Sequence, residues 1–520
     1  MKIPKYPLLV GLLFLFFAVT TYFHLHDYYS DYLPHSAIMN ELTNLPLNDP
    51  KLRFFPTVHP LGPIPFSYDF YTWGLALIKK ITGLSSLTIF NMAGLMNFIL
   101  LAIGLHLFLK EYFSTPELSF ILLPVMLFFW GKSWDFSGAY DVGGLMINLY
   151  KPSSFAFALS FFIFTLLIKY LRTGKMFYGF VLLPSLSILI LTNLLPTFFA
   201  LGTMVLLLLL HKPFQIKKIL FVLGLTILAF TLATSWPYYS LIQLVRDGFL
   251  LHQMTTPEIT SLYFSIEHLT RLGPVLLGVP LIFYYGWKKR YPLIVLGFFL
   301  FLASFLTAFF LKSPMGWRLI FYVSFFLHLG LALYLREKLP VLSNILVLTT
   351  KNIFPFFLVT IGLGCLLYQT VSVTAKELGF RSFQEVLHFL NENPKRGRGF
   401  IKKFQFLNRY VPSDALILSD MDTALVIPAF SGRPLTYQEG ASYYDPFIQK
   451  LGEHQSDVVE FFKPETSLQR RFEIVKKYGI QFVLWNNERA QTPPPEDFKK
   501  AVKVVYEKDS LTLFEIPSTS

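Results

Sequence analysis

A chain of 520 residues could hold three or four soluble domains, but 53% hydrophobic residues, only 15% charged ones and a mean hydropathy of +0.50 exclude that for most of its length. The net charge of +13 does not signal nucleic acid here: with 18% aromatics and 57 Phe, the charges must sit at the ends of buried segments. The single Cys365 lies in an apolar run, which excludes a disulfide framework and a cysteine metal site.

A hydrocarbon core about 30 Å thick takes roughly 20 apolar residues per helix. Eleven crossings are predicted, near 8–25, 87–109, 118–131, 153–168, 177–191, 195–210, 219–235, 272–286, 292–311, 319–335 and 352–373. Lys2 and Lys5 precede the first run as in a signal peptide, but no small-residue cleavage site follows, and Phe23-His24-Leu25-His26 suits a retained anchor. Within 177–210, Thr192, Asn193 and Pro196 predict a tight hairpin between two helices.

Basic residues set the orientation. With the N-terminus in the cytoplasm, fifteen Lys and Arg fall in the short loops on that side, against ten in the much longer loops opposite. Eleven crossings then deliver residues 374–520 to the outside. This tail holds 20 basic and 19 acidic residues, the balance of a soluble domain. Ala415–Leu418 and Gln481–Trp485 read as buried strands, and Ser382–Leu390 and Leu468–Lys477 as amphipathic helices. The expected fold is an all-α polytopic membrane domain over 1–373, with a long first outer loop at 26–86, and a small extracytoplasmic α/β domain over 374–520. Such a chain is a multi-pass protein of a plasma or inner membrane.

Of the thirteen acidic residues before the tail, only Glu111, Glu117 and Glu337 fall on the cytoplasmic side. A carboxylate at the hydrocarbon boundary is costly and needs water, a partner or a task. Asp27 and Asp31 stand out in His26-Asp27-Tyr28-Tyr29-Ser30-Asp31-Tyr32-Leu33-Pro34-His35, directly after the first crossing. Pro34 suits the first turn of a new helix, whose Ala37, Ile38 and Leu42 are expected along the bilayer surface. His35, four residues after Asp31, would share its helical face. Such a turn has the groups to deprotonate a hydroxyl, bind a divalent cation or orient a sugar; helix capping with interfacial aromatic anchoring is the structural alternative. Asp135 and Asp141 in the second outer loop are further candidates.

A first crossing, an acidic motif at the outer face and a long loop leading to the second crossing resemble the GT-C class of integral-membrane glycosyltransferases, such as the polyprenyl- or dolichyl-phosphate-dependent mannosyl- and aminoarabinosyltransferases. Val58-His59-Pro60-Leu61-Gly62-Pro63, Tyr71-Thr72-Trp73-Gly74, the segment from Asp135 to Asp141, Trp236-Pro237-Tyr238-Tyr239 and Trp317-Arg318 look like parts of that class. In the tail, Val411-Pro412-Ser413-Asp414-Ala415 through Ile427-Pro428-Ala429-Phe430-Ser431-Gly432-Arg433 resembles the extracytoplasmic domain of many bacterial members. The aspartates are three residues apart in between, unlike the closer acids of several subfamilies, so both stay candidates.

The resemblance implies a sugar moved from a polyprenyl-phosphate donor to a lipid, glycan or protein acceptor, with inversion, and with Asp31 or Asp27 as base or cation ligand. It implies Asp135, Asp141, His35 and His59 for acceptor or metal, and Arg318, Lys312 and Arg271 for the donor phosphate. Any metal would be a hard, oxygen-bound ion, Mg²⁺ or Mn²⁺. Two other readings fit parts of the chain. A transporter or flippase of lipid-linked or envelope glycans would use ionisable groups within the helices, where His106 and His328 are the main candidates. A non-enzymatic scaffold would explain the tail but not the acidic turn.

Overall fold

Among the described residues, five of the apolar runs form helices long enough to cross a bilayer: Ser86–Phe113, Pro152–Thr173, Ile216–Thr234, Pro292–Phe310 and Gly316–Lys338. The chain is therefore an integral membrane protein. The computed structural model describes residues 10–18, 32–44, 69–132, 134, 138–237, 241–242, 266–288, 291–311, 313, 316–342, 364, 403–412, 415–424, 426–427, 430–434, 448–490, 493–508 and 510–517. Three shorter apolar helices, Leu118–Phe128, Met176–Thr192 and Leu194–Leu210, stand where further crossings are expected. The run expected at 272–286 is broken into a 3₁₀ turn Gly273–Leu277, an α-helical turn Gly278–Phe283 and a π turn Tyr284–Lys288. The first expected crossing is described only at 10–18. The one at 352–373 is described only at residue 364, and the helix at 382–390 and the boundary at 373/374 lie outside the described residues.

The described residues fall into two compact units. The first lies within Met1–His24, Phe90–Trp236 and Ser240–Asn393, the second within Leu25–Ile89, Pro237–Tyr239 and Pro394–Ser520. In the first unit the Gly316–Lys338 helix is central and mostly buried, whereas Ile216–Thr234 is mostly exposed. The latter turns Leu220, Leu223 and Ile227 outward, as a lipid-facing helix does. Phenylalanines fill the centre: Phe199 stacks on Tyr322 at 4.7 Å and meets Phe157, Phe164 and Phe325 at 5.6 Å. The expected hairpin is present. Asn193 takes an extended conformation, its side chain accepts from Leu195 N at 3.1 Å, and Pro196 falls in the first turn, where no N–H is needed.

In the second unit the Tyr32–Asn44 helix packs on the Phe70–Thr82 helix. Ile38, Met39 and Leu42 are buried. This corrects the expectation that Ile38 and Leu42 line the bilayer surface: a second amphipathic helix follows in the same loop and covers that face. The tail carries a five-stranded sheet, β1 (Leu416–Ser419), β2 (Arg433–Pro434), β3 (Phe482–Asn486), β4 (Lys503–Lys508) and β5 (Leu511–Glu515), in the order β2-β1-β3-β5-β4. The β2-β1-β3 half is parallel and the β3-β5-β4 half antiparallel. β1 and β3 match the two predicted strands, paired Ile417 to Phe482 and Leu418 to Val483. The Ile448–Phe462 and Leu468–Tyr478 helices bury Phe461, Phe462 and Ile474 around Trp485. Arg471 reaches through this core to the carbonyls of Phe461 (3.0 Å) and Lys463 (2.6 Å), so the buried guanidinium ends the preceding helix.

Candidate functional site

Three segments of the first unit meet on a short loop after the Leu118–Phe128 helix. Gly131 makes this possible, because a Cβ there would lie 1.8 Å from the carbonyl oxygen of Thr270. Gly131 N donates to Arg271 O at 2.9 Å, and Gly273, at φ +40°, lies against Gly131. Asp141 shapes the far side of the loop. It is fully buried and caps the Val142–Asn148 helix, its Oδ2 accepting from Gly144 N at 3.1 Å and from Trp134 N at 3.2 Å.

Trp134 is thereby held with its ring flat on His268, at 5.3 Å and 9° between planes. His268 stacks in turn on Trp317 at 6.0 Å and 24°. The guanidinium of Arg271 lies 5.4 Å from the Trp134 ring, and that of Arg318 lies 5.5 Å from the Trp317 ring. The result is a ladder of two cations and three aromatic rings, contributed by the 130–144 loop, the Ile266–Leu272 helix and the Gly316–Leu319 turn that opens the Ile320–Leu342 helix. Stacking of this kind contributes about 0.5–1 kcal/mol per pair and, more to the point, fixes each guanidinium plane. Trp134 Nε1 is buried with no hydrogen-bond partner among the described residues. Below the ladder, Tyr140 donates to Phe321 O at 3.0 Å and pairs with His328 Nδ1 at 3.1 Å, while His328 lies 4.8 Å from the Trp130 ring. His106 pairs with Ser119 at 3.0 Å. Both intramembrane histidines are thus seated in side-chain contacts.

The second unit holds two further polar groups, at opposite ends of the Phe70–Thr82 helix. Asp69 caps the Phe70–Thr82 helix, Oδ1 accepting from Thr72 N at 2.9 Å and Oδ2 from the Thr72 hydroxyl at 2.7 Å. Burial pushes its pKa up to about 7, against the lowering effect of those hydrogen bonds. Lys79, on the same helix, is pulled down to about 8 by burial beside Asn40 and Ser86.

Of the residues predicted from sequence, the structure brings Arg271 and Arg318 onto one ladder and sets Asp141 in the loop that carries Trp134. His35 is half-buried on the Tyr32–Asn44 helix. Asp27, Asp31, His59, Asp135 and Lys312 lie outside the described residues. Among the described residues no three His, Cys, Asp or Glu side chains converge as metal ligands would. Sequence reasoning missed Trp134, His268, Asn40 and Lys79. Two tryptophans flanking a glycine in Trp130-Gly131-Lys132-Ser133-Trp134 were the available signal for the first.

No sequence profile of a known protein family matches the chain, and no curated protein does. Solved structures of GT-C glycosyltransferases are similar to it. ArnT from Cupriavidus metallidurans, bound to undecaprenyl phosphate, is 12% identical with a TM-score of 0.44, covering 98% of each chain. The Archaeoglobus fulgidus oligosaccharyltransferase, tethered to an acceptor peptide, is 13% identical with a TM-score of 0.42, over 92% of this chain and 69% of its own. The mycobacterial arabinofuranosyltransferase AftD is 12% identical with a TM-score of 0.46, over 94% of this chain and 40% of its own.

Proposed function

We propose that the protein is a GT-C-type membrane glycosyltransferase that moves a hexosyl or pentosyl group from a polyprenyl-phosphate donor to an acceptor on the extracytoplasmic side. The observation that carries the reading is the Arg271–Trp134–His268–Trp317–Arg318 ladder, which supports the donor-phosphate role expected of Arg271 and Arg318. Guanidiniums hold phosphate oxygens through paired hydrogen bonds, and both stay charged beside a bilayer. The unpaired indole N–H of Trp134 adds a donor for an oxygen at the same place. The three segments are separated in sequence by an even number of expected crossings, so their meeting agrees with one membrane face for all of them.

In this reading the acceptor hydroxyl attacks the anomeric carbon from the face opposite the phosphate. The sugar–phosphate C–O bond breaks, the polyprenyl phosphate leaves with the electron pair, and the hydroxyl proton passes to Asp31 or Asp27. The two arginines stabilise the charge that grows on the leaving phosphate, which is where fixed cations lower the barrier most. Asp27 and Asp31 are also the residues that would hold a Mg²⁺ or Mn²⁺ ion. The test is transfer of labelled sugar from synthetic polyprenyl-phosphate hexoses and pentoses, with a membrane extract as acceptor source. Asp27→Asn or Asp31→Asn, shown to be folded and inserted, is expected to lower the rate by about 10²- to 10⁴-fold. Near-normal transfer in both variants would remove the assignment, and movement of the donor across the membrane without release of polyprenyl phosphate would favour a flippase.

A further inference from the structure

Asn40 is buried on the Tyr32–Asn44 helix, and its amide joins three distant segments of the second unit. Oδ1 accepts from Ser86 Oγ at 2.7 Å and from Lys79 Nζ, while Lys79 Nζ also donates to Ser86 Oγ at 2.9 Å. Nδ2 donates to the carbonyl of Phe430, 390 residues away, at 3.2 Å. The orientation of the amide follows from its partners: a lysine can only donate and a carbonyl can only accept.

The Phe430 carbonyl is itself held by the tail domain. Phe430 N donates to Ile427 O at 3.0 Å, and Ser431 Oγ donates to Val411 O at 2.7 Å. Gly432, at φ +95°, lies so close to β1 that a Cβ would come within 2.3 Å of Ile417. The Tyr32–Asn44 and Phe70–Thr82 helices already pack together, with Ile38, Met39 and Leu42 buried on the first. A buried amide is not needed for that adhesion and would cost stability unless both its ends were paired. Pairing both ends specifies position instead.

We infer that Asn40 is a positioning residue that braces the first outer-loop helix against the C-terminal domain. Asp31 directly precedes this helix in the sequence, so in the proposed reaction a brace on the helix would act on transfer through that neighbour. This rests on the reading that Asp31 or Asp27 acts on the acceptor.

The discriminating variant is Asn40→Asp in the full-length protein in lipid nanodiscs. The new carboxylate still accepts from Lys79 and Ser86, but it cannot donate to Phe430 O and repels that carbonyl. Ser86→Ala is the counterpart, which loses one helix contact and keeps the bond to the tail. Hydrogen exchange is followed in peptides covering 32–44 and 468–490, and transfer is measured as kcat and KM with a polyprenyl-phosphate sugar. In Asn40→Asp, exchange in 32–44 is expected to speed up about tenfold with 468–490 unchanged, and kcat to fall about tenfold with KM altered less than about twofold. Ser86→Ala should stay within about twofold of wild type on every measure. Wild-type exchange in Asn40→Asp, or faster exchange with unchanged kcat, overturns the inference. If the wild-type protein transfers no sugar at all, the functional reading falls, and the exchange contrast alone decides whether the brace exists.

Discussion

Arg271 and Arg318 were legible as candidates because a guanidinium at a helix end near lipid head groups has few employments. Their stacking partners were not. His268 and Trp134 acquire a role only when the Ile266–Leu272 helix and the 130–144 loop meet, a non-local event with no local sequence period. The geometry sets a graded expectation: Arg318→Ala should abolish or severely impair use of the lipid donor, and Arg318→Lys should restore part of it, because an ammonium is a point charge without the planar fork. Donor-concentration kinetics check this, and unchanged saturation in Arg318→Ala would return the residue to interfacial anchoring. Asp69 gives a pH prediction. Its pKa rises from an ordinary 3.8 to about 7 on burial, so between those values the folded chain binds a proton that the unfolded chain has released. Its contribution to stability therefore declines as pH rises from about 4 to about 7. Asp69→Asn should remove that part of the pH dependence of thermal unfolding, and an unaltered profile would refute it.

Among the elements, long apolar helices were read with boundaries a few residues off, because a crossing is set by length and hydropathy alone. The broken run at 273–288 and the edge strand β4 escaped. The first is uncharged up to Lys288 but contains Gly273, Pro274, Gly278 and Pro280, which interrupt α-helical hydrogen bonding. The second begins and ends in lysine, and its Val504 and Tyr506 are split by a bulge, so its alternation is blurred. The burial of Ile38 and Leu42 was misassigned because periodicity shows which face is apolar and not what covers it. Two glycine substitutions separate packing from flexibility. Gly131→Ala forces a methyl into the Thr270 carbonyl, and is expected to cost about 1–3 kcal/mol in unfolding free energy and to weaken donor binding by shifting Arg271. Gly224→Ala, with nothing within 4 Å on the Ile216–Thr234 helix, should be neutral or stabilise by up to about 1 kcal/mol. Thermal melts in one detergent compare the two, and equal effects would contradict the packing argument.

At the scale of the whole molecule, composition alone set the membrane character, and the strands expected at 415–418 and 481–485 pair in one sheet of the C-terminal segment. The grouping of Leu25–Ile89 with the C-terminal segment was not legible, since it depends on bonds such as Asn40 to Phe430 that span most of the chain. The proposed function has one central requirement, that a phosphorylated polyprenyl lipid is bound at the arginine ladder. The most direct measurement is native mass spectrometry or equilibrium binding of polyprenyl phosphate and of the uncharged polyprenol to the protein in nanodiscs, for wild type and for the Arg271→Ala, Arg318→Ala double variant. The account predicts that wild type prefers the phosphate by at least about tenfold and that the double variant loses that preference while still binding polyprenol. Equal preference for the phosphate in both proteins would contradict it.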